Sequence, residues 1–190
     1  MVLGPLWYYA YMIRNRLLDE MRADYVLLAP GNYGADYIKN AMGIDPATAV
    51  MTSNFIGDAL EMCRELGFHG ALLIGHIGKL VKLAGGMWNT HSRYGDCRTD
   101  ILTACAAAEG LDAAAAEALL HCATCDDALR ILQEQELYEA VLHRLAGRID
   151  AMLPYKCGDM EAGAILFSKE YGYLCETKDA AALLRRIKED

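Results

Sequence analysis

Three stretches decide the fold: YVLLAPGNYGADYIKNAMG (Tyr25–Gly43), AVMTSNFIGDALEMCRELG (Ala49–Gly67) and ALLIGHIGKLVKLAGG (Ala71–Gly86). Each opens on a short apolar run, passes through a turn rich in glycine or in Asn and Ser, and continues as a helical pattern stopped by glycine. That repetition is the grammar of a parallel sheet with crossover helices. The spacing predicts strands at Tyr25–Ala29, Ala49–Thr52 and Ala71–Ile74. It predicts helices from Ala35 to Met42, along Ile56, Leu60, Cys63 and Leu66, and from Lys79 to Ala84 after a turn at Gly75-His76-Ile77-Gly78.

From Ser92 to about Met152 the composition shifts to Ala, Leu, Glu and Arg. Three or four helices are expected there, broken at Gly110-Leu111-Asp112, Asp126-Asp127 and Gly147. Runs at Ala162–Phe167 and Tyr173–Cys175 read as a hairpin, and Lys178–Lys188 as a last helix. The expected fold class is therefore α/β: a Rossmann-like parallel sheet core over residues 25–190, with a helical insertion at about 92–153 and a carboxyl-terminal β-hairpin plus helix. Residues 1–24 form a lead-in segment in which Trp7, Tyr8, Tyr9 and Tyr11 surround Gly4-Pro5, followed by a helical stretch from Met12 to Met21. It reads as a helix whose natural cover lies elsewhere, and self-association into a homo-oligomer through it is an expectation.

The 190 residues, 54% hydrophobic and 23% charged, suffice for one substantial core and argue against global disorder. Eighteen Lys and Arg against 26 Asp and Glu leave a net charge of −8, which repels phosphate backbones and anionic lipid. Nucleic acid and membrane surfaces are excluded as default partners. Seven cysteines, an odd number, fit a reduced cytoplasmic location better than a disulfide framework. The apolar run Met1–Ile13 is too short to span a membrane, and Arg14 and Arg16 follow it where a secretory signal would place its charges first.

Ligands of open α/β sheets bind at the carboxyl ends of the strands, where turns offer backbone N–H groups. All three turns project to that edge. Gly31-Asn32-Tyr33-Gly34 lets a backbone approach a ligand, and reads also as a tight strand-to-helix connection. There is no GxGxxG, no GxxxxGK[ST] and no acidic residue ending the second strand, where Ser53 and Asn54 stand instead. From Leu66 to Gly95 no Asp or Glu occurs, while Lys79, Lys82 and Arg93 give that run a charge of +3 on an acidic body. Lys79 and Lys82, three apart on one helix face, then read either as a receptor for carboxylate or phosphate or as ordinary solvated lysines.

His76, at a strand end beside glycines, is a candidate general base or donor to a ligand. In Asn89-Thr90-His91-Ser92, Thr90 or Ser92 is the expected helix cap, with His91 its neighbour. Cys122 and Cys125 form a lone CxxC, read as packing cysteines beside Leu119 and Leu129, and no metal site is expected. No GxSxG elbow supports Ser-His-Asp chemistry.

The run Leu72–Gly86, continued by Asn89-Thr90-His91-Ser92, closely resembles the signature of the CbiD family, and Pro30–Gly34 and Ser53–Gly57 match two further motifs of that family in order. The resemblance is strongest from Tyr25 to Ser92. It implies a cobalt-precorrin-5B C1-methyltransferase of anaerobic cobalamin biosynthesis, with S-adenosylmethionine as methyl donor and a corrinoid bearing many carboxylates as acceptor. Members of that family are usually longer, with another domain ahead of this region. On the resemblance, Gly31, Asn32, Gly34, Ser53 and Asn54 go to the donor, Gly75, Lys79, Lys82, Asn89 and Thr90 to the corrinoid, and His76 and His91 to catalysis; the two sides are exchangeable. A non-catalytic module holding a corrinoid or an adenosyl compound, and a small α/β enzyme acting on a phosphorylated or nucleotide ligand, are the competing readings.

Overall fold

The computed structural model describes residues 5–189. A long helix, α1 (Pro5–Asp19), leads into β1 (Tyr25–Ala29), α2 (Asn32–Met42), β2 (Ala49–Met51), α3 (Ile56–Leu66) and β3 (Gly70–His76). A short helix, α4 (Ile77–Leu80), continues into a 3₁₀ turn over Val81–Gly85. The helical region follows as α5 (Arg98–Ala107), α6 (Ala113–Leu120), α7 (Cys125–Glu134), α8 (Tyr138–Met152) and a single turn, α9 (Pro154–Cys157). The chain closes with β4 (Glu161–Ser168), β5 (Gly172–Glu176) and α10 (Ala180–Glu189).

The five strands form one mixed sheet in the order β2-β1-β3-β4-β5. The first four are parallel, with Leu27 opposite both Ala49 and Leu72 and Leu73 opposite Ala164. Only β5 runs antiparallel, on the outer edge of β4. The central strands are buried on both faces, and period-two alternation sorts their side chains between two apolar layers. Leu28, Val50, Leu73 and Leu166 meet Ile13 and Leu17 of α1, Ile56, Leu60 and Cys63 of α3, and the leucines of α5, α7 and α8. Leu27, Leu72, Ile74, Ile165 and Phe167 meet Ile38 of α2 and Ala180 and Leu183 of α10.

The structure moves several expected boundaries. Helix α2 begins at Asn32 and not Ala35, because Gly31 at φ 91° turns the chain into the helix at once. No glycine turn separates β3 from its helix. The strand runs through Gly75 and His76, and the His76 side chain caps α4 by accepting the Gly78 N–H at 3.1 Å. Asp126 and Asp127 are not a break but the first turn of α7, where carboxylates favour the helix N-terminus and Asp127 forms a capping box with Thr124. Gly147 lies inside α8, whose apolar face of Val141, Leu142, Leu145 and Ile149 outweighs the propensity cost of one glycine. The carboxyl-terminal hairpin and final helix form as expected, while the sheet as a whole is mixed and not purely parallel. Of the aromatic lead-in, Gly4 and the Trp7 side chain lie outside the described residues.

Candidate functional site

Because β1, β2 and β3 are parallel, the turns after them share one edge, and a single side chain ties them together. Lys79 of α4 donates from Nζ to the Ser53 carbonyl at 3.0 Å and to Asn54 Oδ1 at 2.9 Å. It also crosses Gly31, where a Cβ would stand 3.1 Å from the ammonium nitrogen. In this strand order the crossover helices leave β1 and β3 for opposite faces, so Lys79 occupies the crevice between β1 and β3. Burial, and after it the neighbouring Lys82, push the Lys79 pKa down from its ordinary 10.5.

A pocket of about 350 Å³ opens beside this knot. Its wall is the junction of β2 with α3 (Ser53, Asn54, Phe55), its other wall the 86–95 loop (Asn89, His91, Arg93, Tyr94), and Tyr9 of α1 closes one side. The two walls are zipped by backbone: Phe55 and Asn89 form an antiparallel bridge, the Thr90 N–H donates to the Asn54 carbonyl, and the Gly57 N–H to the Trp88 carbonyl. Gly57 is required for this approach, since a Cβ there would lie 2.7 Å from that of Trp88. Tyr9 stacks on Phe55 with centroids 5.5 Å apart.

The polar groups of the pocket are oriented by this frame. Asn54 Oδ1 accepts from Lys79 and, at 3.2 Å, from the Thr90 hydroxyl, which leaves the amide N–H donors of Asn54 for the pocket it lines. His91 Nδ1 accepts the Arg93 N–H at 3.1 Å, so the neutral ring carries its proton on Nε2. His91 itself, and not Thr90 or Ser92, is therefore the cap of the 3₁₀ turn Ser92–Tyr94. Ser53 holds φ 54°, a left-handed conformation that turns the chain from β2 toward α3. Among the described residues no carboxylate lines the pocket, while Arg93 and His91 stand at its rim. The arrangement offers N–H donors and the Arg93 guanidinium to an anionic, partly aromatic ligand.

The structure brings Ser53, Asn54, Asn89, Thr90, His91 and Lys79 together, with Thr90 and Lys79 behind the wall. Gly31 lies against Lys79, while Lys82, Gly75, Gly34, Asn32 and His76 are set apart. Lys82 is only 3% exposed and turns inward, donating to the carbonyls of Thr90 and Gly95, so it pins the 86–95 loop and does not share an outward face with Lys79. Gly75 and Gly34 are packing glycines: a Cβ would meet Pro30 at 2.8 Å and the Ile74 carbonyl at 3.0 Å respectively. Asn32 is exposed on the far side of Gly31, at the start of α2.

His76 lies beside a second pocket of about 300 Å³ between α2 and the β4–β5 hairpin, lined by Tyr33, Asp36, Tyr37, Phe167 and Lys169 among others. Its Nδ1 is committed to the Gly78 N–H. Burial holds its pKa below 6.5; Asp126 opposes that shift and Lys169 adds to it. The two candidate histidines therefore do not share a site: His91 lines the first pocket, and His76 packs against Tyr33 and Phe167 behind the second.

Sequence reasoning missed Tyr9, Phe55 and Tyr94 as pocket residues, and gave Arg93 only a share in the field. The acid-free run ending at Gly95 was a signal for Arg93 and Tyr94; nothing local marked Tyr9. Cys125 is buried and Cys122 partly so, as packing cysteines would be, and among the described residues no group of three or more His, Cys, Asp or Glu is poised for a metal. No described helix is long and apolar enough to cross a membrane.

Comparison with known proteins adds the relatives. Residues 89–178 match the family model described as CbiD, C-terminal domain. Proteins named cobalt-precorrin-5B C(1)-methyltransferase are similar over most of the chain. The protein from Listeria monocytogenes serovar 1/2a is 34% identical over 175 residues, covering 90% of this chain and 46% of the relative. That from Tolumonas auensis is 34% identical over 157 residues (80% and 42%), and that from Photorhabdus laumondii 33% identical over 165 (85% and 44%). The chain spans about half the length of the curated relatives it matches. No solved structure gave a significant match.

Proposed function

The chain belongs to the CbiD family, and from that premise we propose that it supplies the ligand-holding edge of an S-adenosylmethionine-dependent methyltransferase acting on C-1 of cobalt-precorrin-5B. The observation that carries this reading is a pocket lined by no carboxylate among the described residues, rimmed by His91 and Arg93 and backed by Lys79, on a molecule of net charge −8. A corrinoid precursor bears several acetate and propionate carboxylates, and such a cationic recess on an anionic body selects for them. Strand order and helices on both faces support a Rossmann-like reading of the four parallel strands.

The residues present suit a donor as well. Tyr9 and Phe55 offer aromatic faces, Ser53 and Asn54 hydroxyl and amide groups, and the Gly31 turn leads to the start of α2, where no side chain caps the helix. The donor's contribution is an activated methyl on a sulfonium. The protein's own contribution is alignment and exclusion of water, because an in-line displacement needs no nucleophilic side chain. Asn54 and Asn89 orient polar groups, Arg93 and His91 hold carboxylates, and Lys79 fixes the turns against one another. We place this reaction in the cytoplasm, where the seven free cysteines stay reduced.

Incubation of the purified chain with methyl-labelled S-adenosylmethionine and cobalt-precorrin-5B tests the proposal. Label in the corrinoid is the expected result. Label retained on the protein without transfer favours the binding module. Saturable binding of ATP or NAD with no response to S-adenosylhomocysteine removes the methyltransferase reading.

A further inference from the structure

The inner face of α1 has an evident purpose, since Ile13 and Leu17 enter the core. Its outer face does not. Tyr8, Tyr11, Met12 and Leu18 recur at helical spacing and are all exposed, Tyr8 and Tyr11 by 61% and 58%. A surface helix of a self-sufficient domain carries one apolar stripe opposite a charged face. Here the outer face carries an apolar stripe of its own, interrupted by Asn15 and Asp19, while Arg14 and Arg16 are held aside in ion pairs with Glu65 and with Asp19 and Glu20. The stripe reaches the pocket: Tyr8 packs edge-on to Tyr9 at 6.0 Å, Tyr9 stacks on Phe55, and exposed Tyr94 stands among the residues lining that pocket.

Exposed aromatics at this density mark a surface meant to be covered. The comparisons indicate by what. More than half of the Listeria relative's length lies outside the match, and the family model that this chain satisfies is a carboxyl-terminal domain. We infer that the outer face of α1 is the seat of the amino-terminal portion of a CbiD polypeptide, in the same chain or a separate one. The inference rests on family membership and not on methyl transfer, so either can fail without the other.

Hydroxyl-radical footprinting read by mass spectrometry tests it. The probe is a polypeptide spanning the unmatched portion of the Listeria monocytogenes serovar 1/2a relative, either fused ahead of this chain or mixed with it, against the chain alone. Labelling of Tyr8, Tyr11 and Met12 should fall at least threefold in the fusion, with Tyr155, 74% exposed on α9, unchanged as the control. In the mixture, Tyr8→Glu with Tyr11→Glu should weaken association at least tenfold while leaving the melting temperature of the chain within a few degrees. Undiminished labelling of α1 in the fusion overturns the inference. So does sedimentation showing that the chain alone is a dimer which the double variant turns into monomers, since the occupant is then a second copy.

Discussion

Lys79 Nζ donates to Asn54 Oδ1 at 2.9 Å, across 25 residues of sequence, and so decides which end of the Asn54 amide faces the pocket. Asn54→Asp keeps an acceptor for Lys79, and turns the contact into an ion pair, while removing the amide donors and placing a negative charge on the wall. The melting temperature should hold or rise, and affinity for cobalt-precorrin-5B should drop more than tenfold at low salt. Thermal melts and a spectroscopic titration check both arms; unchanged affinity would show that the corrinoid carboxylates go elsewhere.

Lys82 and Lys79 separate under substitution. Lys82→Met leaves the carbonyls of Thr90 and Gly95 without their donor, and should cost roughly 1–3 kcal/mol with faster proteolysis confined to residues 86–95. Lys82→Glu sets a carboxylate against two carbonyls in a buried position, and should destabilise by more, to the point of poor folding. Denaturant unfolding and limited proteolysis distinguish the pair. A soluble, fully stable Lys82→Glu chain would mean that the side chain reaches solvent after all.

Gly57→Ala should loosen the pocket from within. The new methyl meets Trp88 Cβ at 2.7 Å and Lys156 Cε at 3.2 Å, and a shift of the 86–95 loop against α3 is needed to relieve it. The expected loss is roughly 1–3 kcal/mol, with weaker ligand binding accompanying it. Gly67→Ala, where nothing lies within 4 Å but φ is 86°, is the comparison that isolates backbone strain from crowding.

The His76 shift gives a pH dependence of stability. Burial holds its folded pKa below the ordinary 6.5, so the unfolded chain takes up its proton first. The contribution is therefore fully present above pH 6.5 and is lost as pH falls toward the depressed value. His76→Asn retains a capping side chain but does not titrate, and should flatten the melting-temperature profile on the acid side of pH 6.5 relative to the parent chain. Parallel profiles for the two proteins would refute the assignment.

The thiols should divide by burial. Burial pushes Cys63, Cys125, Cys157 and Cys175 up to about 12, and raises Cys105 as well. Burial raises Cys97 and Cys122 too, but these two are only partly buried and remain within reach of a reagent. Native labelling at pH 8 should modify those two first, with the other five reacting more slowly by about a hundredfold or more until the chain unfolds. Peptide mapping of the modified sites reads the order directly.

The three repeated units were legible because strand and helix periodicity, and glycines such as Gly43 and Gly67 at helix ends, are written in local sequence. So was the acid-free run that became the cationic side of the pocket, since charge can be counted without coordinates. Tertiary structure alone decided that Lys79 reaches across to Asn54 while Lys82, three residues on, turns into the core. It also decided that His91 lines a pocket closed on one side by Tyr9 while His76 is held away from it, capping α4. The physical reason is that an ammonium points to whichever carbonyls the fold delivers. Those of Ser53, Thr90 and Gly95 are set by sheet register and by how far each loop is drawn in, which no spacing within a single helix encodes.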